Sequence, residues 1–151
     1  MRAINHAVTG AVIGLVVTEP LIAMPVAFLS HFVLDVIPHY GPSMDNVKYM
    51  KSKTFKNFLY IDAALCFILV IVLAASNPVN WLLAAVCAFL AAAPDFLSVN
   101  RYVSTLRKRE WKPSLYSKFA TGIQWFERPI GGVVEIIWFV GAVILLIPLL
   151  S

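Results

Sequence analysis

Two of the chain's three histidines flank an aspartate in residues 31–39, at the end of a long apolar stretch. In a helix, His31 and Asp35 lie one turn apart and project from the same face. A neutral imidazole and a carboxylate at this spacing can bind one divalent ion. Pro38 is expected to end the helix near residue 37 and to bring His39 back toward the pair. The segment therefore predicts a metal site where an apolar helix meets water.

The composition is that of a membrane protein. Of the 151 residues, 60% are hydrophobic and 13% are charged, and the mean hydropathy is +0.82. A soluble domain usually carries about a quarter charged residues, so this chain has too little polar surface for a water-soluble globule. The net charge of +4 comes from basic loops, as the rule that orients membrane proteins predicts. We therefore do not expect nucleic-acid binding, which a basic soluble protein would suggest.

The elements that position the metal site are predicted to form an all-α polytopic membrane bundle in a single domain, residues 1–151. About five transmembrane helices are expected, the first two as a tight hairpin around Glu19-Pro20. Gly10-x-x-x-Gly14 permits close approach of a neighbouring helix. The predicted spans are residues 3–17, 21–37, 58–75, 79–93 and 129–150. An amphipathic interfacial helix is expected over residues 114–127, and a soluble helix packed on the loops is a nearly equal alternative.

The distribution of basic residues predicts the orientation. Lys and Arg are confined to the N-terminal end and to residues 48–56 and 101–128, and the turns at residues 18–20 and 76–80 contain none. With five crossings, all of these basic segments fall on one side of the membrane. The positive-inside rule assigns that side to the cytosol. We therefore expect an integral membrane protein with its N-terminus in the cytosol.

This topology places ionisable residues from several helices at the cytosolic end. Ionisable groups inside membrane helices are costly unless paired, so they indicate function. Imidazole nitrogen together with carboxylate oxygen favours Zn²⁺, Mn²⁺ or Fe²⁺, and such an ion makes bound water a nucleophile near neutral pH. The residues that share this end are His6, His31, Asp35, His39, Asp62, Asp95 and, somewhat deeper, Glu135.

Simpler interpretations exist for each of these residues. His6 is equally well explained as an interfacial histidine, and His39 as a solvated loop residue. His31 and Asp35 can pair within one helix and join neighbouring helices, although a metal is the preferred interpretation. Asp62 is slightly better explained by capping its helix or by pairing with a loop lysine. Glu135 is expected to bond to a neighbouring helix, and Asp95 to belong to the metal site.

Three motifs resemble the bacterial membrane-bound metal-dependent hydrolase-like proteins. They are Asn5-His6, Ser30-His31-x-x-x-Asp35 and Pro94-Asp95, so the resemblance covers mainly the first 40 residues and a short stretch near residue 95. It implies metal ligands at His6, His31, Asp35 and Asp95. It also implies a hydrolase of the bacterial inner membrane.

Two classes of function follow. The first is a metal-dependent hydrolase that acts at the cytosolic face on a phosphoester or lipid headgroup, with Asp62 or His39 as general base or as a residue that orients the ligands. Its basic loops attract anionic lipids by about 1 kcal/mol per charge. The second is a non-catalytic membrane protein with a polar packing cluster, whose basic face binds lipid or a partner protein. An ion path through Glu135 and Asp62 is less favoured, because the middle of the third and fourth predicted helices lacks further ionisable groups.

Overall fold

A computed structural model of the chain describes residues 1–41 and 47–151, which are mainly helical and contain no β-sheet. The all-α prediction is thereby confirmed for this part of the chain. The helices in chain order are α1 (Ala3–Val16), α2 (Pro20–Val36), α3 (Val47–Met50), α4 (Lys53–Ser76), α5 (Trp81–Phe96), α6 (Val99–Leu106), α7 (Leu115–Ile123) and α8 (Gly131–Leu146), and a 3₁₀ helix (Ile147–Leu150) follows α8.

Three helical segments are long and apolar enough to cross a membrane, namely Lys53–Ser76, Trp81–Ser104 and Gly131–Leu150. α1 and α2 are apolar but shorter, with 14 and 17 residues. At 1.5 Å per residue they measure about 21 and 26 Å, against about 30 Å for the hydrocarbon core. The fold is therefore compatible with the integral membrane protein that the composition indicates, and five crossings stay a prediction.

The helix α1 is the centre of the bundle. It contacts α2, α4, α5 and α8, and more than half of its residues are buried. Its most extensive contact is with α5, where Gly10 faces Cys87 and Gly14 faces Ala84. Glycines at this spacing let two helix backbones approach closely. α1 and α2 are in contact, as the predicted hairpin requires, and the glycine face of α1 packs against α5.

The helix boundaries differ from the prediction where capping and proline chemistry act locally. α4 begins at residue 53 and not 58, because Ser52 Oγ accepts the Phe55 N–H at 3.1 Å and caps the helix. Asn77, with a left-handed φ of 49°, ends α4. Pro94 lies within the last turn of α5 and does not end it. α8 changes to a 3₁₀ helix beside Pro148, which has no N–H to continue an α-helix.

One end of the bundle, which we call the site end, gathers the first turns of α1, α4 and α8 and the last turns of α2 and α5. Arg2 joins three of these helices. Its backbone N–H donates to Glu135 Oε1 of α8, and its Nε donates to Asp62 Oδ1 of α4, each at 3.0 Å. Asp62 thus pairs with Arg2 and not with a loop lysine, and Glu135 bonds to a neighbouring segment as expected. The basic loops connect helices at this same end.

Candidate metal centre

His6, His31 and Asp95 lie together at the site end. They come from the first turn of α1, the last two turns of α2 and the last turn of α5. One ligand atom from each residue lies within 4.8 Å of the other two. The His6 and His31 rings stack with their centroids 4.0 Å apart and an interplanar angle of 26°. The structure therefore brings together three of the four predicted ligands from three different helices.

The fourth predicted ligand, Asp35, contacts both imidazoles. Its Oδ1 lies 3.2 Å from His6 Nε2, and its Oδ2 lies 3.3 Å from His31 Nε2. Oδ1 also pairs with the Met1 amino group, and Oδ2 accepts a hydrogen bond from Gln124 Nε2 at 3.0 Å. The Asp35 residue is only 2% exposed, and a buried carboxylate requires such partners. Asp35 thus holds the two histidines in place, whether or not it also binds an ion.

The hydrogen bond of His31 determines which of its nitrogens faces the carboxylates. Its Nδ1 lies 2.8 Å from the carbonyl oxygen of Ala91. A carbonyl oxygen only accepts, so we assign the proton to Nδ1. Nε2 then faces Asp35 and also Asp95, whose Oδ1 is 3.9 Å away. A nitrogen lone pair opposite two carboxylates requires a positive charge, which is either a proton on Nε2 or a metal ion.

The second histidine, His6, is fully buried, and neither of its ring nitrogens has a hydrogen-bond partner in the described part of the chain. Asp35 lies close to Nε2 but off the direction that a hydrogen bond needs. A buried polar atom without a partner costs about 1–3 kcal/mol, so each such atom in a native fold calls for an explanation. A ligand from outside the polypeptide provides one for His6.

The donor set fits a divalent ion such as Zn²⁺, Mn²⁺ or Fe²⁺. It combines two imidazoles with the Asp95 carboxylate, and Asp35 contacts both rings. Histidine ligands commonly donate their second ring N–H to a backbone carbonyl, as His31 does. Zinc ligands at about 2.1 Å from the metal lie about 3.4 Å from one another. The ligand atoms of His6, His31 and Asp95, which are up to 4.8 Å apart, are therefore somewhat farther apart than the ligand atoms of a bound zinc ion.

The residue His39 is held by a different set of contacts. Its backbone pairs with Phe126 and Arg128, ahead of α8. Its Nε2 lies 3.8 Å from Glu127 Oε1, and its Nδ1 lies 2.8 Å from the Ile37 carbonyl oxygen. These contacts hold His39 against the segment before α8 and not against the His31–Asp35 pair.

A cavity of about 620 Å³ lies beside the metal centre, between α4 and α5. Its volume is typical of a small-molecule site, about 300–1,000 Å³. Asp95 and Gln124, which both contact the centre, line this cavity. His39 and Asp62, the two predicted general bases, line it as well. The candidate metal centre therefore has an accessible space on one side, and His39 and Asp62 border that space.

The sequence did not point to Gln124, which follows the last turn of α7. Tyr116 anchors this helix, since its hydroxyl donates to the Pro94 carbonyl oxygen at 3.1 Å. Burial raises the pKa of Tyr116, so the phenol stays a protonated donor. The amphipathic pattern of α7 was the signal that could have identified Gln124. A helix that packs against α2 places its C-terminal end close to Asp35. No comparable signal marks the Ala91 carbonyl.

Comparison with known proteins gives no match, because no protein-family model, no curated protein and no solved structure matches the chain. The resemblance to the metal-dependent hydrolase-like proteins therefore stays a prediction. The function has to be argued from the geometry of the centre and of the cavity.

Proposed function

We propose that the chain is a metal-dependent hydrolase that acts on a phosphoester or lipid headgroup at one face of a membrane. One observation carries the proposal: ligand atoms of His6, His31 and Asp95 lie within 4.8 Å of one another, and the buried ring nitrogens of His6 have no hydrogen-bond partner among the described residues. These residues and Asp35 are the ligands in the proposal. A bound ion of this kind supplies activated water near neutral pH.

The polypeptide's own contribution is orientation. The Ala91 carbonyl fixes the His31 ring so that its Nε2 faces Asp35 and Asp95, where it can bind an ion. His39 is better suited than Asp62 to act as general base. Its Nδ1 donates to the Ile37 carbonyl, and its Nε2 faces Glu127, which also lines the cavity and can orient the ring for proton transfer. The Asp62 carboxylate is already bonded to the Arg2 guanidinium.

The proposal includes five crossings of a bacterial inner membrane, with the site end in the cytosol. Its support is the charge distribution: all 12 Lys and Arg residues fall in residues 2, 48–56 and 101–128, which adjoin the site end. The opposite end holds the turns at residues 17–19 and 77–80, without a Lys or Arg. The short α1 is surrounded by four other helices, so protein contacts cover much of its length.

Elemental analysis of the purified protein, produced with Zn, Mn and Fe in the medium, tests the metal site. We expect one divalent ion per chain in the wild type and its loss in His6→Ala, His31→Ala and Asp95→Ala. Glu135→Gln is the control, because it changes a carboxylate at the site end that is not a proposed ligand, and it should retain the ion. A metal-free wild type, or equal metal content in all variants, would refute the site.

Phosphate release tests the activity. The probes are phosphatidic acid in detergent micelles and p-nitrophenyl phosphate in water, each with the metal-loaded protein. We expect release that a chelator abolishes, that the same metal restores and that His31→Ala lacks. Stoichiometric metal without hydrolysis of either probe would leave the metal site intact and contradict the phosphoester hydrolase.

The alternative is a non-catalytic membrane protein in which the same cluster fixes helix packing and the basic face binds lipid or a partner protein. The hydrogen bond from Gln124 to Asp35 favours it, because the carboxylate already has polypeptide partners. In that case His31 carries two protons and pairs with Asp35. Absence of metal together with a large loss of stability in His31→Ala and Asp35→Ala would select this alternative.

A further inference from the structure

The cavity beside the metal centre has a long apolar part. Its walls are Ala63, Phe67 and Val70 of α4 and Ala85 and Phe89 of α5. α4 and α5 make few contacts with each other compared with the contacts that α1 makes with α5. Their separation leaves a crevice that is lined on its inner side by alanines of α1.

The depth of this crevice matches one leaflet of a bilayer. Along α4 it runs from Asp62 to Val70, and along α5 from Asp95 to Ala85. At 1.5 Å per residue these distances are about 12 and 15 Å. Half of a hydrocarbon core of about 30 Å is about 15 Å. A hydrocarbon chain that enters from the headgroup region would therefore reach the end of the crevice near the middle of the membrane.

The polar end of the crevice is lined by charges of both signs, with Asp62, Asp95 and Glu127 beside two arginines, and a basic segment adjoins this end. Arg101 lines it, and the exposed cations Arg107, Lys108 and Arg109 follow in the same segment. The carboxylate of Asp62 is neutralised by Arg2. A basic surface of this kind attracts anionic lipid headgroups.

From this geometry we propose that the crevice between α4 and α5 binds the hydrocarbon chain of an anionic phospholipid and places its phosphate at the polar end, beside Asp95. This deepens the proposed function and rests on it for the reaction, because it makes the substrate a membrane lipid and not a water-soluble phosphoester. The lipid-binding part depends only on the cavity and on the basic segment beside it, residues 107–109.

Photocrosslinking tests the proposal. The probe is phosphatidic acid with a diazirine in the middle of one acyl chain, used with the full chain in phosphatidylcholine nanodiscs. We expect crosslinks concentrated on crevice residues such as Phe67 and Phe89. Exposed residues of α8 that face away from the crevice, such as Ile136 and Ile137, should be labelled about tenfold less. Equal labelling of both sets shows ordinary lipid contact at the protein surface and overturns the proposal.

Two matched pairs of variants separate occupation of the crevice from general effects of a bulky side chain. Ala63→Trp and Val70→Trp fill the crevice, whereas Ala64→Trp and Val72→Trp place the same ring on exposed positions of α4 outside it. We expect the first pair to reduce crevice crosslinks about tenfold and the second pair to leave them unchanged. Full crosslinking in both members of the first pair overturns the proposal.

The two proposals fail in different ways. Crevice crosslinks that persist in metal-free His31→Ala support the lipid site even where no hydrolysis is found. The converse outcome is a metal-dependent enzyme that hydrolyses p-nitrophenyl phosphate and phosphatidic acid equally well. If Ala63→Trp then keeps full activity and no crevice residue is preferentially crosslinked, the hydrolase stands and the lipid site is refuted.

Discussion

Replacing Gly14 by alanine tests the packing that holds α1 against α5. A Cβ at this position would lie 2.6 Å from the Cα of Ala84, whereas ordinary contacts begin at 3.4 Å. The two backbones must therefore move apart by about 0.8 Å, since a backbone atom cannot rotate away. Gly10 meets a similar obstacle, because its Cβ would overlap the Cys87 carbonyl oxygen.

The control is Gly141→Ala in α8, where an added Cβ meets no atom within 4 Å. Alanine is favoured over glycine in a helix by about 1 kcal/mol, and both variants share this gain. The difference between Gly14→Ala and Gly141→Ala therefore isolates the steric overlap. Overpacking typically costs about 1–3 kcal/mol, and we expect this difference in the free energy of unfolding.

The assay is reversible unfolding in mixed micelles with increasing SDS, followed by circular dichroism. Because His6 lies one turn before Gly10 on α1, displacement of α1 should also weaken metal binding in Gly10→Ala and not in Gly141→Ala. Equal stability of Gly14→Ala and Gly141→Ala would refute the close contact of α1 with α5, and with it the placement of His6.

Two further interactions give predictions in the same unfolding assay. Arg2→Gln leaves Asp62 without its ion-pair partner and should lower the free energy of unfolding by about 1–3 kcal/mol. The double variant Arg2→Gln with Asp62→Asn should recover most of this stability. An equal loss of stability in the double variant would contradict the pairing. Trp138→Phe removes the 3.0 Å hydrogen bond from Nε1 to Thr9 Oγ1 and should cost about 1 kcal/mol. Trp125→Phe, at a residue 68% exposed, should leave stability unchanged, and equal effects of the two would refute the role of that bond.

The gathering of His6, His31 and Asp95 could be predicted because it depends on helix direction alone. In the predicted topology, successive helices alternate in direction, so the start of α1 and the ends of α2 and α5 share one end of the bundle. The long apolar stretches and the turn residues between them were sufficient to predict this alternation of helix direction. The pairing of His31 with Asp35 needed only helical periodicity.

The partners of these residues could not be predicted, because they depend on which helices pack together. The spacing of Gly10 and Gly14 permits a close approach but does not say whether α2 or α5 makes it. Likewise, the sequence favoured a cap or a loop lysine for Asp62, and nothing in it pointed to Arg2. His39 was expected near His31 because Pro38 turns the chain. Backbone hydrogen bonds to Phe126 and Arg128 hold His39 elsewhere, and no pattern in the sequence predicts them.

The most direct test of the metal centre is X-ray absorption at the zinc edge of the zinc-loaded protein. The proposal predicts nitrogen and oxygen ligands at about 2.0–2.1 Å, with outer-shell scattering from two imidazole rings in the wild type and no bound zinc in His31→Ala. Sulfur at about 2.3 Å, or a spectrum that neither His6→Ala nor His31→Ala changes, would contradict it.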